Sequence, residues 1–395
     1  MLRPSWLRRW QTSRLEKSRM EDLYKNIRPY TDAETAAVMP SLAASELVAS
    51  AAKVLYPDKD PDYLPGIIRS CRTVEDFQVK VIAEALRMDL ELTHSTLSYS
   101  GVENFIDSDG SVGRFVLLST HRDIVLDPAL VEYTLHLNNL PKTEIAAGDN
   151  LLATPDIEDA MRSNRMIKVV RSDNPRVVYT TSKVLSAYIR EKVTSGDRSV
   201  WIAHRGGRTK DGYDRTEQGL LKMLDMSGSG SFAENFAELR IMPVTISYEY
   251  ETCGALKVIE SLSRARHGYY HKQPGEDVNS MLQGFIQPKG RIHIDFCKPL
   301  TAEELSLADS AQHNEKFRIL SEILDERLTA SFRLWPTNYA AADLLAGNDG
   351  YMKQGYYTVE DRERLIERCK HETEGMPQEV YTGLLELYAA HLNKR

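Results

Sequence analysis

His121 sits in the stretch Ser119 to Leu130, reading STHRDIVLDPAL, with one carboxylate two residues on at Asp123 and another six residues on at Asp127. An imidazole titrates close to neutral pH, so it can take a proton from a hydroxyl while that oxygen attacks a carbonyl carbon. A carboxylate on the second ring nitrogen fixes the tautomer and stabilises the imidazolium that forms. Either Asp127 or Asp123 could supply it, since a one-residue change in loop geometry would exchange them. His121 follows directly on an apolar run, RFVLLST, and precedes a helix start, so it falls where open α/β sheets bind ligands.

Other chemistries spelled by the same letters fail on their missing parts. His121-Arg122-Asp123 matches the start of a protein-kinase catalytic loop, but the metal-holding Asn five residues after the Asp is replaced by Pro128. There is no Gly-rich phosphate loop and no Asp-Phe-Gly, so phosphoryl transfer would lack its source of charge stabilisation. No G-x-S-x-G elbow, P-loop or G-x-G-x-x-G occurs either. Cys71, Cys253, Cys297 and Cys369 are scattered singly. That spacing predicts no metal site and no disulfide framework, and fits a reducing cytoplasm.

The elements that must position His121 alternate in type. RFVLLST, EIAAG, MIKVV, SVWIA, IMPVTISYEY and RIHIDF read as short buried strands, with helical stretches such as RVVYTTSKVLSAYIREKV and TEQGLLKMLDM between several of them. This predicts an α/β fold with a mixed, mostly parallel sheet covered by helices, spanning residues 106–335. Residues 1–105 read as a helical N-terminal region, with apolar residues at three- and four-residue steps from about 30 to 100. Residues 336–395 read as a helical C-terminal region, with a capping box at Thr358. Asp127 is expected to cap the helix after His121, with Pro128 at its first position.

Charge is unevenly spread. The chain carries a net −7, which argues against nucleic acid as a partner, yet residues 162–222 alone carry +8. Within them HRGGRTK sets Arg205, Arg208 and Lys210 around Gly206 and Gly207, with Arg171 and Arg215 on either side. A Gly-Gly turn lets backbone approach a ligand, and guanidinium groups bind phosphate through paired hydrogen bonds. The opening stretch interleaves Trp6, Leu7, Trp10 and Leu15 with Arg8, Arg9, Arg14, Lys17 and Arg19, a pattern suited to a helix lying on an anionic membrane surface. No apolar run approaches the roughly 18–20 residues needed to span a bilayer.

Four of these blocks, taken in order, resemble the glycerolipid acyltransferase family, that is, the glycerol-3-phosphate and 1-acylglycerol-3-phosphate acyltransferases. The chain is similar to a divergent, bacterial-type member over residues 110–300. STHRDIVLDPAL resembles the first block, with the spacing from His121 to Asp127 one residue longer than usual and Thr120 in place of Asn. MIKVVRS resembles the second, ending at Arg171. HRGGRTK resembles the third, with Gly207 and Arg208 matching and Arg205, or Gly206 in a shifted register, where the family has Glu. IMPVTISYEY resembles the fourth, with Pro243.

The resemblance implies that His121 is the general base, with Asp127, or Asp123, as its orienting carboxylate. It implies an acceptor phosphate held by Arg171 and Arg208, with Lys210 and Arg215 as lesser contacts. Acyl-CoA or acyl-carrier protein would be co-substrate, a phosphorylated glycerol or lysophospholipid the acceptor, with no metal or redox cofactor. The enzyme would be cytoplasmic and peripheral to the membrane. An amine or unusual headgroup acceptor, and a catalytically silent lipid-binding protein, remain as alternatives.

Overall fold

The computed structural model describes residues 23–273 and 275–392, so the basic, aromatic stretch around Trp6 and Trp10 lies outside the described residues. Among the described residues seven strands form one sheet: β1 (Thr96–Ser100), β2 (Val116–Ser119), β3 (Glu144–Gly148), β4 (Met166–Val169), β5 (Val200–Ala203), β6 (Met242–Tyr248) and β7 (Arg291–Phe296). Their order across the sheet is β1-β7-β6-β2-β5-β3-β4. The five strands from β6 to β4 run parallel; β7 pairs antiparallel with β6, and β1 follows β7 in its direction. The expected mixed, mostly parallel sheet with helical cover is what the chain forms.

Both faces of the parallel part are covered, which is why its strands read as unbroken apolar runs. Alternate residues serve opposite cores. Val116, Leu118, Val200 and Ile202 pack with helices Pro175–Thr194, Gln218–Asp225, Phe232–Leu239 and Glu315–Ser331. Leu117 and Trp201 face the other way, into a core with Leu126, Leu130 and Leu135 of helix Leu126–Leu137. The fully buried β2 lies at the centre of this arrangement, so its C-terminal end is held from both neighbours and both faces.

The N-terminal helices build a core of their own around Met39, Leu42, Ile68 and Phe77. Asp32–Ala43 and Glu46–Leu55 are separate helices, each with its own side-chain cap, Thr31 and Ser45, and meet at 75°. Among the described residues no single helix is long and apolar enough to cross a membrane, although this bent pair together would suffice by length and composition. The helical reading of residues 30–100 needs one correction. Helix ends at Leu92, and Thr96–Ser100 is a strand paired with β7, so the sheet begins ahead of the expected boundary at 106. TLSYS does alternate, with Leu97 and Tyr99 on one face, but the strand is short and at the sheet edge, only Leu97 is half-buried, and the run follows directly on a helical pattern, which hid it.

The C-terminal helices begin at Pro336, and the capping box at Thr358 forms with Asp361. They pack through Ala340, Leu365, Leu384 and Tyr388 against Ala255 and Val258 of helix Gly254–His267. Gly101, directly after β1, sits at φ +76°, and a Cβ there would lie 1.9 Å from the Phe296 carbonyl oxygen at the end of β7. Gly101→Ala is therefore expected to lower unfolding stability by about 2 kcal/mol or more, checked by denaturant titration, with no change in residual helix content of the folded state.

Candidate active site

The chain leaves the sheet at Thr120, whose N–H donates to the Val244 carbonyl at 2.9 Å and whose Oγ1 accepts from Ile246 N at 3.0 Å. Where the resemblance expects Asn, this Thr ties the end of β2 to β6 and so fixes where His121 emerges. The two carboxylates then divide the work that one was expected to do. Asp123 Oδ1 accepts from the N–H groups of Val125 and Leu126, both at 3.0 Å, and so caps helix Leu126–Leu137. Asp127 is inside that helix, one residue before Pro128, and does not cap it. Its Oδ2 accepts from His121 Nδ1 at 3.1 Å, from Arg122 N at 2.5 Å and from Asp123 N at 2.8 Å, while Oδ1 accepts from the Tyr248 hydroxyl at 2.8 Å.

The corrected assignment has a simple cause. One carboxylate cannot both close the helix start and face back onto the imidazole, so Asp123 takes the first task and Asp127 the second. With Nδ1–H donated to Asp127, Nε2 is left as the basic nitrogen of His121. The ring borders a cleft, open to solvent, at the C-terminal ends of the parallel strands.

Arg171, Arg205, Gly207, Arg208 and Lys210 line the same cleft. Arg208 is 6% exposed, its Nη2 donates to Ser280 Oγ at 3.3 Å, and its Nη1 is buried without a partner among the described residues. A buried guanidinium facing a cleft without a carboxylate is a site short of an anion. Arg171 follows β4, is exposed, and is held through its backbone N–H by Asp149 at 3.0 Å. Its guanidinium lies between Gly148 and Gly206, whose missing Cβ atoms would come within 3.2 and 3.5 Å of it.

The remaining predicted residues are placed less directly. Gly207 at φ +86° makes the turn, and Gly206 N donates to Glu217 Oε2 at 3.0 Å, so a carboxylate reaches this turn from outside the HRGGRTK block. Lys210 pairs with the buried Glu260 at 2.9 Å, and burial lowers its pKa. Arg215 does not line the cleft; it is exposed, near Asp211 and over the Tyr213 ring, which makes it surface charge.

Beside the cationic cleft runs an apolar slot lined by Ile82, Ala85, Leu86, Ala129, Met281 and Phe285, among others. Ile124, Pro128 and Ala147 belong to both walls, so the slot opens next to His121. Its roof is helix Glu276–Ile286, which passes so close to Asp123 that a Cβ on Gly284 would sit 2.2 Å from Asp123 Oδ2.

Three residues here were not singled out from sequence. Tyr248 ends β6 and fixes the second oxygen of Asp127; burial first, and then the neighbouring carboxylates, raise its pKa well above the ordinary value. It shares the strand alternation of Val244 and Ile246, which marked it as inward-facing but not as polar contact. Trp201 stands edge-on to His121, with ring centroids 6.3 Å apart. His204 is fully buried after β5, 3.8 Å from Asp214, and burial pushes its pKa down to about 3.

The acyltransferase family model matches residues 97–247, the segment from β1 to the end of β6 that contains His121, Asp127 and the cationic residues. No curated protein matches the chain by sequence. Among solved structures it is similar to the 1-acyl-sn-glycerophosphate (LPA) acyltransferase PlsC of Thermotoga maritima. The identity is 13% and the TM-score 0.38, over 75% of this chain and 94% of that one.

Two outcomes follow from the geometry. Asp123→Ala strips two helix N–H groups of their acceptor and is expected to cost about 1–2 kcal/mol of stability in denaturant unfolding. His204 titrates near 3 when folded and near 6.5 when free. Between those values the unfolded chain binds the extra proton, so stability falls as pH drops from 6.5 towards 3. Stability measured against pH is expected to lose part of that acid slope, about 1.4 kcal/mol per pH unit at most, in His204→Phe.

Proposed function

We propose that this chain, whose residues 97–247 match the acyltransferase family model, moves a fatty acyl group from acyl-CoA or acyl-carrier protein to a glycerol-3-phosphate or lysophosphatidate-type hydroxyl. One observation carries the reading. The His121–Asp127 pair and the carboxylate-free guanidinium of Arg208 face a single cleft, and an apolar slot opens into it beside the imidazole. A base, an anion site and an apolar channel are the three things a phosphorylated alcohol and an acyl thioester require.

The acceptor phosphate would sit against Arg171 and Arg208, bringing its hydroxyl to His121 Nε2. The imidazole takes the hydroxyl proton as the oxygen adds to the thioester carbonyl. The imidazolium is stabilised through Nδ1–H by Asp127, which backbone N–H groups and Tyr248 hold in place. Collapse of the tetrahedral intermediate breaks the C–S bond, and the leaving thiolate takes the proton back from Nε2. The products are the new ester and a free thiol. The thioester supplies the activation, so the step calls for no metal or redox cofactor. The acyl chain would lie in the slot against Ala85 and Phe285. Because the acylated product is a lipid whichever acceptor is used, the reaction would take place at the cytoplasmic surface of a membrane, with the protein peripheral to it.

His121→Ala is expected to abolish thiol release, with loss of at least about a thousandfold in kcat, as removal of a general base and its proton relay implies. Activity near wild type in that variant would remove the base assignment. Arg171→Ala should raise KM for a phosphorylated acceptor about tenfold or more while sparing the donor's KM. An unchanged acceptor KM would point instead to an acceptor without phosphate. Ala85→Phe, which fills the slot, should shift preference towards shorter acyl chains in a donor panel; an unaltered chain-length profile would place the acyl group elsewhere.

A further inference from the structure

We infer that the C-terminal helical region, beyond the segment matched by the acyltransferase family, is part of the catalytic apparatus, and that His391 is a positioning residue acting on His121 through Arg122. This rests on the assignment of His121 as base.

The peptide unit joining His121 to Arg122 is held at both of its polar atoms. Its carbonyl oxygen, that of His121, accepts from Thr209 N at 2.7 Å, and its N–H, that of Arg122, donates to Asp127 Oδ2. The rotation of this one plane therefore sets the direction in which the His121 side chain leaves the backbone. What anchors the plane from the other side is the Arg122 side chain. It is 1% exposed, an unusual depth for a guanidinium, and it points away from the cleft into the body of the protein.

Four separate segments meet on that guanidinium. Arg122 Nη2 donates to Asp214 Oδ2 at 2.6 Å and to His391 Nε2 at 2.6 Å. Nη1 lies 3.6 Å from Glu251 Oε2, and the group stacks over the Phe332 ring at 5.4 Å. Asp214 in turn accepts from Thr209 Oγ1 at 2.7 Å, and Thr209 is the residue whose N–H holds the His121 carbonyl. The loop is closed: His391 and Asp214 fix Arg122, Asp214 fixes Thr209, and Thr209 and Asp127 fix the peptide that carries the base.

Two features make the His391 contact matter. Arg122 Nε and Nη1 are buried without hydrogen-bond partners among the described residues, so Nη2 carries the directional contacts of this cation. His391 can only accept there, because a guanidinium has no acceptor, which sets its tautomer. Its ring also stacks flat on Phe332, with centroids 3.6 Å apart and planes 6° from parallel. The end of helix Gln378–Ala389 is secured close by, where Tyr388 hydroxyl accepts from Glu251 N at 3.0 Å and Asn338 Nδ2 donates to the Tyr388 carbonyl at 2.8 Å. A ring needed only for packing would be replaceable by any flat side chain; a hydrogen-bond acceptor would not.

The test compares three variants of the full chain. His391→Phe keeps the stack on Phe332 and removes the acceptor; His391→Gln restores an acceptor oxygen without the ring. In His391→Phe, kcat is expected to fall about tenfold, the worth of one hydrogen bond to a charged group, with both KM values within about twofold of wild type. His391→Gln should recover most of that kcat. Wild-type kcat in folded His391→Phe would overturn the inference, as would a His391→Gln variant that folds but is no better than His391→Phe. Should His391→Phe not fold, folded His391→Gln decides: kcat within about threefold of wild type supports the role, and a larger loss overturns it. His121→Ala is assayed alongside: if it stays active the base assignment fails, whereas an inactive His121→Ala with an unaffected His391→Phe rejects only the role of His391.

Discussion

The buried carboxylate of Asp127 is the contact on which the site depends. Four donors converge on it, three on one oxygen and the Tyr248 hydroxyl on the other. Burying such a group without donors would cost several kcal/mol, so its surroundings and its orientation are determined together. Two of the donors are backbone N–H groups of the very loop that carries His121, so the carboxylate does more than orient the imidazole. It also shapes the backbone from which that imidazole projects.

Around this contact the sheet supplies position and the loops supply charge. The C-terminal ends of β2, β3, β4 and β5 deliver His121, Gly148, Arg171 and Arg205 to one cleft because parallel strands end on the same edge. Arg171, Arg205, Arg208 and Lys210 of the basic segment 162–222 are thereby brought to one cleft, while Arg162, Arg190 and Lys192 pair with carboxylates elsewhere. Not all of that charge serves the cleft: Lys210 is matched by Glu260 and Arg215 is turned to solvent, whereas Arg208 is buried with no carboxylate partner among the described residues. The apolar slot then follows from where helix Leu126–Leu137 and the roof helix Glu276–Ile286 meet the N-terminal helices at Ile82 and Ala85.

How much of this could be read from the chain alone varied with the range of the interaction. Strands buried on both faces were legible because continuous apolar runs leave few alternatives, and His121 with Arg171 and Arg208 was legible because each follows such a run. Strand β1 was not, since TLSYS is a short edge strand with a single half-buried apolar residue, Leu97, and follows directly on a helical pattern. Asp127 and Asp123 were distinguished only by the backbone between them: both residue types can cap a helix, and which one turns inward depends on a loop conformation that Tyr248 and Arg122, 121 and 5 residues away, help to set. The part played by His391 was beyond reach, because 269 residues separate it from Arg122 and nothing local marks it.

The most direct test of the account is a rapid-quench measurement of thioester consumption, with enzyme at stoichiometric concentration, in the absence and then the presence of a phosphorylated acceptor. A base that activates the acceptor's own hydroxyl predicts no thiol release until the acceptor is added, followed by release matched one for one by ester. A burst of thiol equal to the enzyme concentration before any acceptor is present would show an acyl-enzyme intermediate, and would contradict the role given to His121.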